Sequence, residues 1–140
     1  MHPVHVRLLD HARRALGKAT ASPEPPDGIA AAEARLGRPL PPGYRRFLEE
    51  VGKARWPLRI ENVATFEGGP WPEYFVPFAS DYGELVYGFD LRGGDGADLP
   101  IDFLDFETDE LDEDPGPAVP FEDWLAARID DDVGPAPSAG

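Results

Sequence analysis

Two short apolar stripes divided by a proline turn dominate the chain. Ile29, Ala32, Glu33 and Leu36 fall at helical spacing, after which Gly37 tolerates a left-handed helix end and Pro39 forbids continuation. Pro41 and Pro42 then open a second helix. In it Tyr44, Phe47, Leu48 and Val51 recur at i, i+3, i+4 and i+7 up to Gly52, with Arg45, Arg46, Glu49 and Glu50 on the side expected to face water. Beyond Gly52 the period falls from near four to near two. Trp56, Leu58 and Ile60 predict a strand with Pro57 at its start or on an edge, and Val63 to Glu67 predicts a short second strand. Tyr74 to Ala79, the turn SDYG, and Glu84 to Leu91 follow at hairpin spacing, so their pairing is expected to be antiparallel.

The flanks complete the pattern. Leu8, Leu9, Ala12 and Leu16, with His5 one turn earlier, predict an amphipathic helix from Val4 that Gly17 ends. Residues 20–28, rich in Pro, read as a linker whose Asp27 is placed to cap the next helix. RGGDGADLP is a loop, and Ile101 to Glu107 is a strand whose alternation changes phase at Leu104, pointing to a bulge or to burial on both faces. Phe121, Trp124, Leu125 and Ile129 predict a closing helix with Pro120 at its first position, and the residues from 131 onward read as a disordered tail. The fold class is therefore α+β: an antiparallel or mixed sheet of about four to six strands, with N-terminal helices and one C-terminal helix packed on it. The organisation expected is a loosely attached helix over 1–19, a linker over 20–28, the main domain over 29–130 and a tail over 131–140.

Charge changes this picture more than size does. The net charge of −14 is unevenly placed: residues 1–80 hold 11 Lys and Arg against 9 Asp and Glu, whereas residues 81–140 hold 2 against 18. Such a second half repels phosphate backbones and anionic membranes and attracts cationic partners, although excess carboxylate also serves simply to keep a small domain soluble. With no cysteine in the chain, disulfides, thiolate metal sites and thiol nucleophiles are excluded. Neither a signal-like start nor a membrane-spanning apolar run is seen, so the expected location is cytoplasmic.

Candidate chemistry is sparse. His2, His5 and His11 sit near one another, but in sequence no carboxylate completes a metal set. Asp95, Asp98 and Asp102 do not have the spacing of a calcium loop, and the glycines of RGGDGADLP match no phosphate-binding pattern. No metal or other cofactor is expected. Ser22, Ser80 and Ser138 lack the surroundings of a hydrolytic nucleophile, which leaves acidic pairs such as Asp102 with Asp105, or Asp105 with Glu107, as the basis of a remote carboxylate-hydrolase alternative.

The order of parts resembles the SUKH superfamily, which includes fungal cell-wall-assembly regulators and many bacterial immunity proteins. The resemblance is carried by Ile29, Glu33, Leu36, Gly37, Leu40, Pro41, Tyr44, Phe47, Leu48 and Gly52, then by Phe78, Ala79, Gly83, Phe89, Asp90, Pro100, Phe121 and Leu125, over roughly Ile29 to Ile129. Two departures stand out. Members often have a polar residue and a double glycine where this chain has Val51-Gly52-Lys53, and a serine where it has Pro120. The resemblance implies a non-catalytic protein-binding domain, in bacteria frequently the antidote to a toxin encoded beside it.

On that basis the expected function is neutralisation of a basic, nucleic-acid-acting toxin domain through an acidic face. The alternative is a regulatory or scaffold module with no toxin partner. The candidate partner-binding residues are Asp81, Tyr82, Glu84, Asp102, Asp105, Glu107, Asp109, Glu110, Asp112 and Glu113. Trp71, Tyr74 and Tyr87 are further candidate apolar anchors, with core packing the competing role for Tyr74 and Tyr87. The chain is expected to be a monomer that binds neither nucleic acid nor membrane directly.

Overall fold

The computed structural model describes residues 1–18, 21–65, 72–81, 85–93, 96–105 and 116–133. Helices α1 (Pro3–Leu16), α2 (Pro26–Leu36) and α3 (Pro42–Glu50) precede strands β1 (Arg59–Ile60), β2 (Phe75–Ser80), β3 (Leu85–Asp90) and β4 (Ile101–Asp105), and α4 (Phe121–Val133) follows. The strands form one sheet in the order β1-β2-β3-β4, each antiparallel to its neighbour. This is the α+β arrangement expected from the sequence, with four strands among the described residues.

Punctuation in the sequence sets the helix ends. Gly17 and Gly37 take left-handed conformations and donate their N–H groups to Arg13 and Glu33 carbonyls, both at 2.8 Å. Asp27 does not cap α2, because the helix begins earlier, at Pro26. The carboxylate lies in the first turn instead, where it favours the helix dipole. Gly52 has the strictest requirement. Its φ is +85°, and a Cβ there would lie 1.8 Å from the Ser22 carbonyl oxygen. That close approach lets the segment before α2 dock on the end of α3, with Ser22 N–H donating to the Val51 carbonyl and Glu24 N–H to that of Leu48, each at 2.8 Å.

Tyr44 stands at the middle of the core. Its ring is fully buried and lies 5.1 Å from that of Phe89, 5.2 Å from Phe121 and 5.5 Å from Phe78. A buried phenol needs partners, and this one donates to the Glu61 carbonyl at 2.7 Å and accepts from the Val63 N–H at 3.0 Å. Burial pushes its pKa far above the ordinary phenol value. A bulge in β2 adds to the same core: Pro77 pairs with Gly88 and Ala79 with Tyr87, so Phe78 and Ala79 both serve the side facing α3 and α4.

The structure corrects several local expectations. The strand begun at Trp56 is reduced to Arg59–Ile60, because the chain folds back on itself and Ala54 exchanges two 2.9 Å backbone hydrogen bonds with Ile60. No strand forms at Val63–Thr65, which is a 3₁₀ turn; the remainder of that expectation, residues 66–67, lies outside the described residues. Asn62 is the cause, since its side chain accepts from Ala64 N–H and donates to the Gly28 carbonyl, both at 2.9 Å, giving the backbone an alternative to a ladder. Pro120 precedes the first turn of α4 and accepts there from Asp123 and Trp124. That helix continues through Val133, beyond the expected start of the tail, and residues 134–140 lie outside the described residues.

The outer side of α3 is less open than its charges suggest. Arg46 pairs with Glu122 of α4, and Glu50 accepts from the backbone N–H of His2 at 2.8 Å and lies 2.7 Å from Nδ1 of His5. His5 is fully buried beside Phe47, while Val4, Leu8 and Leu9 of α1 join the main core. Burial lowers the His5 pKa against the opposing effect of its hydrogen bond to Glu50, and the hydrogen bonds from the His2 N–H and from His5 hold Glu50 below the usual carboxylate range.

Candidate partner-binding surface

Strand alternation sorts the predicted site residues. In β4, Ile101, Phe103 and Asp105 point to the side of the sheet that carries Val76, Tyr87 and Phe89, whereas Asp102 and Leu104 point to the other. Asp102 and Asp105 are therefore on opposite faces. The phase change at Leu104 now has its explanation: β4 pairs with β3 in unbroken register, and Leu104 is buried with Phe75 and Val86 in a small second cluster. Both faces of the sheet bury apolar side chains.

Asp102 belongs to a structural group. It shares a hydrogen bond with Asp90, whose carboxylate also accepts from Arg92 at the backbone N–H (2.9 Å), Nε (3.1 Å) and Nη2 (2.8 Å). Burial works to raise the Asp90 pKa, but these hydrogen bonds hold it below the ordinary carboxylate value. The Arg92 guanidinium lies 4.0 Å from the ring centre of Tyr74. Tyr74 is thereby engaged in packing, and it is remote from Tyr87, which lies on the opposite face.

Asp81 and Asp105 both neighbour Leu85 at one end of the sheet. Asp81 is exposed; its carboxylate accepts from the Leu85 N–H at 3.0 Å, and Leu85 is the cross-strand partner of Asp105. Tyr82, Glu84, Glu107, Asp109, Glu110, Asp112 and Glu113 lie outside the described residues, as do Trp71 and the calcium candidate Asp95. In sequence, however, the acidic run from Glu107 begins two residues after β4 ends.

Beside this acidic end runs an aromatic row that sequence reasoning missed in part. Phe103 is 55% exposed, its ring 6.4 Å from that of half-buried Tyr87, which packs edge-on at 5.4 Å against half-buried Trp124 of α4. In the sequence Tyr87 is a candidate anchor, whereas Phe103 and Trp124 have the spacing of ordinary core positions in a strand and a helix. Position alone exposes Phe103. It sits on β4, the terminal strand of the sheet, past the reach of α3 and α4.

Among the described residues the other candidate carboxylates are separated or paired. The Asp102–Asp105 pair of the hydrolase alternative is divided by the sheet. A hollow of about 220 Å³ is lined by Glu24, Glu33 and Glu49, but Arg45 lies 3.4 Å from Glu33 and 3.6 Å from Glu49, and these paired groups are a third to a half exposed. Among the described residues no group of three His, Asp or Glu side chains is arranged to hold a metal ion, although His5 meets Glu50, and His2 meets Glu122 at 3.9 Å. Nor is any described helix long and apolar enough to cross a membrane.

A four-stranded antiparallel meander with helices before it and one after it defines the class of domain. Residues 23–127 match the SMI1 / KNR4 family (SUKH-1), and the chain belongs to that family. No curated protein matches the chain in sequence.

Proposed function

We propose that this chain is a protein-binding module that neutralises a basic bacterial toxin domain by covering its polyanion-binding site. The observation that carries the reading is the aromatic row of exposed Phe103 with half-buried Tyr87 and Trp124, which leads toward Asp81 and Asp105. Apolar rings beside a carboxylate-rich rim suit a cationic protein surface: the rings provide desolvated contact area, and the acids steer approach and pair with Arg or Lys. Family membership is consistent with an immunity or interaction role. The acidic run that follows β4 extends the charge available to such a partner.

Co-expression with the product of the neighbouring open reading frame tests the proposal, read as rescue from growth arrest and as co-purification. Failure of both removes the antidote reading. Association with the purified partner should slow strongly as salt rises, because steering between opposite charges is screened over about 8 Å at physiological ionic strength. A complex indifferent to salt, or one that survives reversal of Asp109, Glu110, Asp112 and Glu113, removes the acidic face from the mechanism.

A further inference from the structure

Far in sequence from the acidic half, α1 and the segment 53–55 enclose a groove of about 540 Å³, within the size range of small-molecule sites. Its floor is apolar, formed by Leu9, Ala12 and Leu16 among others, and its rim carries Lys18, Lys53 and Arg55. None of the residues lining it is acidic, in a chain whose net charge is −14. Leu16 remains 51% exposed at the end of α1, so an apolar surface and three cations face the same solvent-accessible space. We propose that this groove binds a soluble single-chain amphiphile with an anionic head, of the fatty-carboxylate class. The aliphatic chain would lie along α1 and gain by leaving water, while the carboxylate would sit toward Lys18, Lys53 and Arg55.

Two features select this occupant. A purely polar anion would leave the Leu9, Ala12 and Leu16 surface wet, and a neutral or cationic amphiphile would gain nothing from, or be repelled by, the rim. The proposal is independent of the partner surface at β4 and does not stand or fall with it.

The test uses the full chain and dodecanoate below its micelle concentration, by titration calorimetry and by displacement of 1-anilinonaphthalene-8-sulfonate fluorescence. Saturable binding at one site per chain is expected. Lys53→Glu combined with Arg55→Glu should weaken it about tenfold or more, the effect of reversing two exposed charges beside a bound anion. Leu16→Glu, at a half-exposed position, should do the same, and dodecyltrimethylammonium should bind at least tenfold more weakly than dodecanoate. Circular dichroism of each variant checks that the fold is kept. Absence of saturable binding, equal affinity for the cationic amphiphile, or binding unchanged in the double variant overturns the proposal. So does an acidic amphipathic peptide that binds the groove when dodecanoate does not, since the groove would then be a protein-docking surface.

Discussion

One face of the sheet changes character along its width. Under α3 and α4, Val76, Phe78, Ala79 and Phe89 are sealed against Tyr44 and Phe121, whereas two residues from Phe89 along the same strand Tyr87 is only half-buried, and its β4 partner Phe103 is 55% exposed. Residue type does not separate the two regions, since both are rich in aromatic rings. What differs is helix cover. An aromatic side chain contributes to stability where a helix completes its surroundings, and becomes a contact surface where the helices stop.

The comparison can be broken most forcefully at its covered end. Phe121→Ala should destabilise the domain by about 3–5 kcal/mol, the usual cost of emptying a large core site, as measured by urea unfolding. Phe103→Ala should shift the same curve by no more than about 0.5 kcal/mol. Equal effects from the two would show that the β4 end is core after all. Next in size is Gly52→Ala, expected to cost about 2–3 kcal/mol because its left-handed backbone and the neighbouring Ser22 carbonyl both oppose a side chain. Tyr44→Phe should cost about 2 kcal/mol: the ring packing is kept, but the Val63 N–H is left buried without its partner.

A smaller effect should appear with pH. His5 has a lowered pKa in the fold, so the folded state favours neutral imidazole, and the stability this contributes is complete above the unfolded value near 6.5. It is lost as pH falls from there toward the folded pKa. His2, Glu50 and Glu122 surround the ring, and Glu50 remains ionised across this window because its own pKa is also lowered. Unfolding midpoints should therefore decline between pH 7.5 and 5.5 in the native sequence, and decline less in His5→Phe. A steeper slope in the variant would reverse the assignment. The smallest change in stability should accompany the clearest change in recognition, since Phe103→Ser is expected to leave the unfolding curve nearly in place while weakening the partner complex about tenfold or more.

By itself the sequence determined the helices, the antiparallel hairpins and the α+β class. Those depend on local signals: the stripe through Tyr44, Phe47, Leu48 and Val51, the glycines at helix ends, and the hairpin spacing of β2 and β3 around a turn. The residues that carried the family resemblance are mostly the same core and turn positions, and they say little about surface. Tertiary structure alone decided what long-range geometry decides. Only the folded chain brings Glu50 to His5 across 45 residues, sets Asp102 against Asp90, and uses Asn62 and Tyr44 to turn an apparent strand into a 3₁₀ turn. It likewise leaves Phe103 outside the cover of α3 and α4. A single side chain's pattern encodes which way it points along its own element; whether anything lies there to meet it depends on where the other elements end.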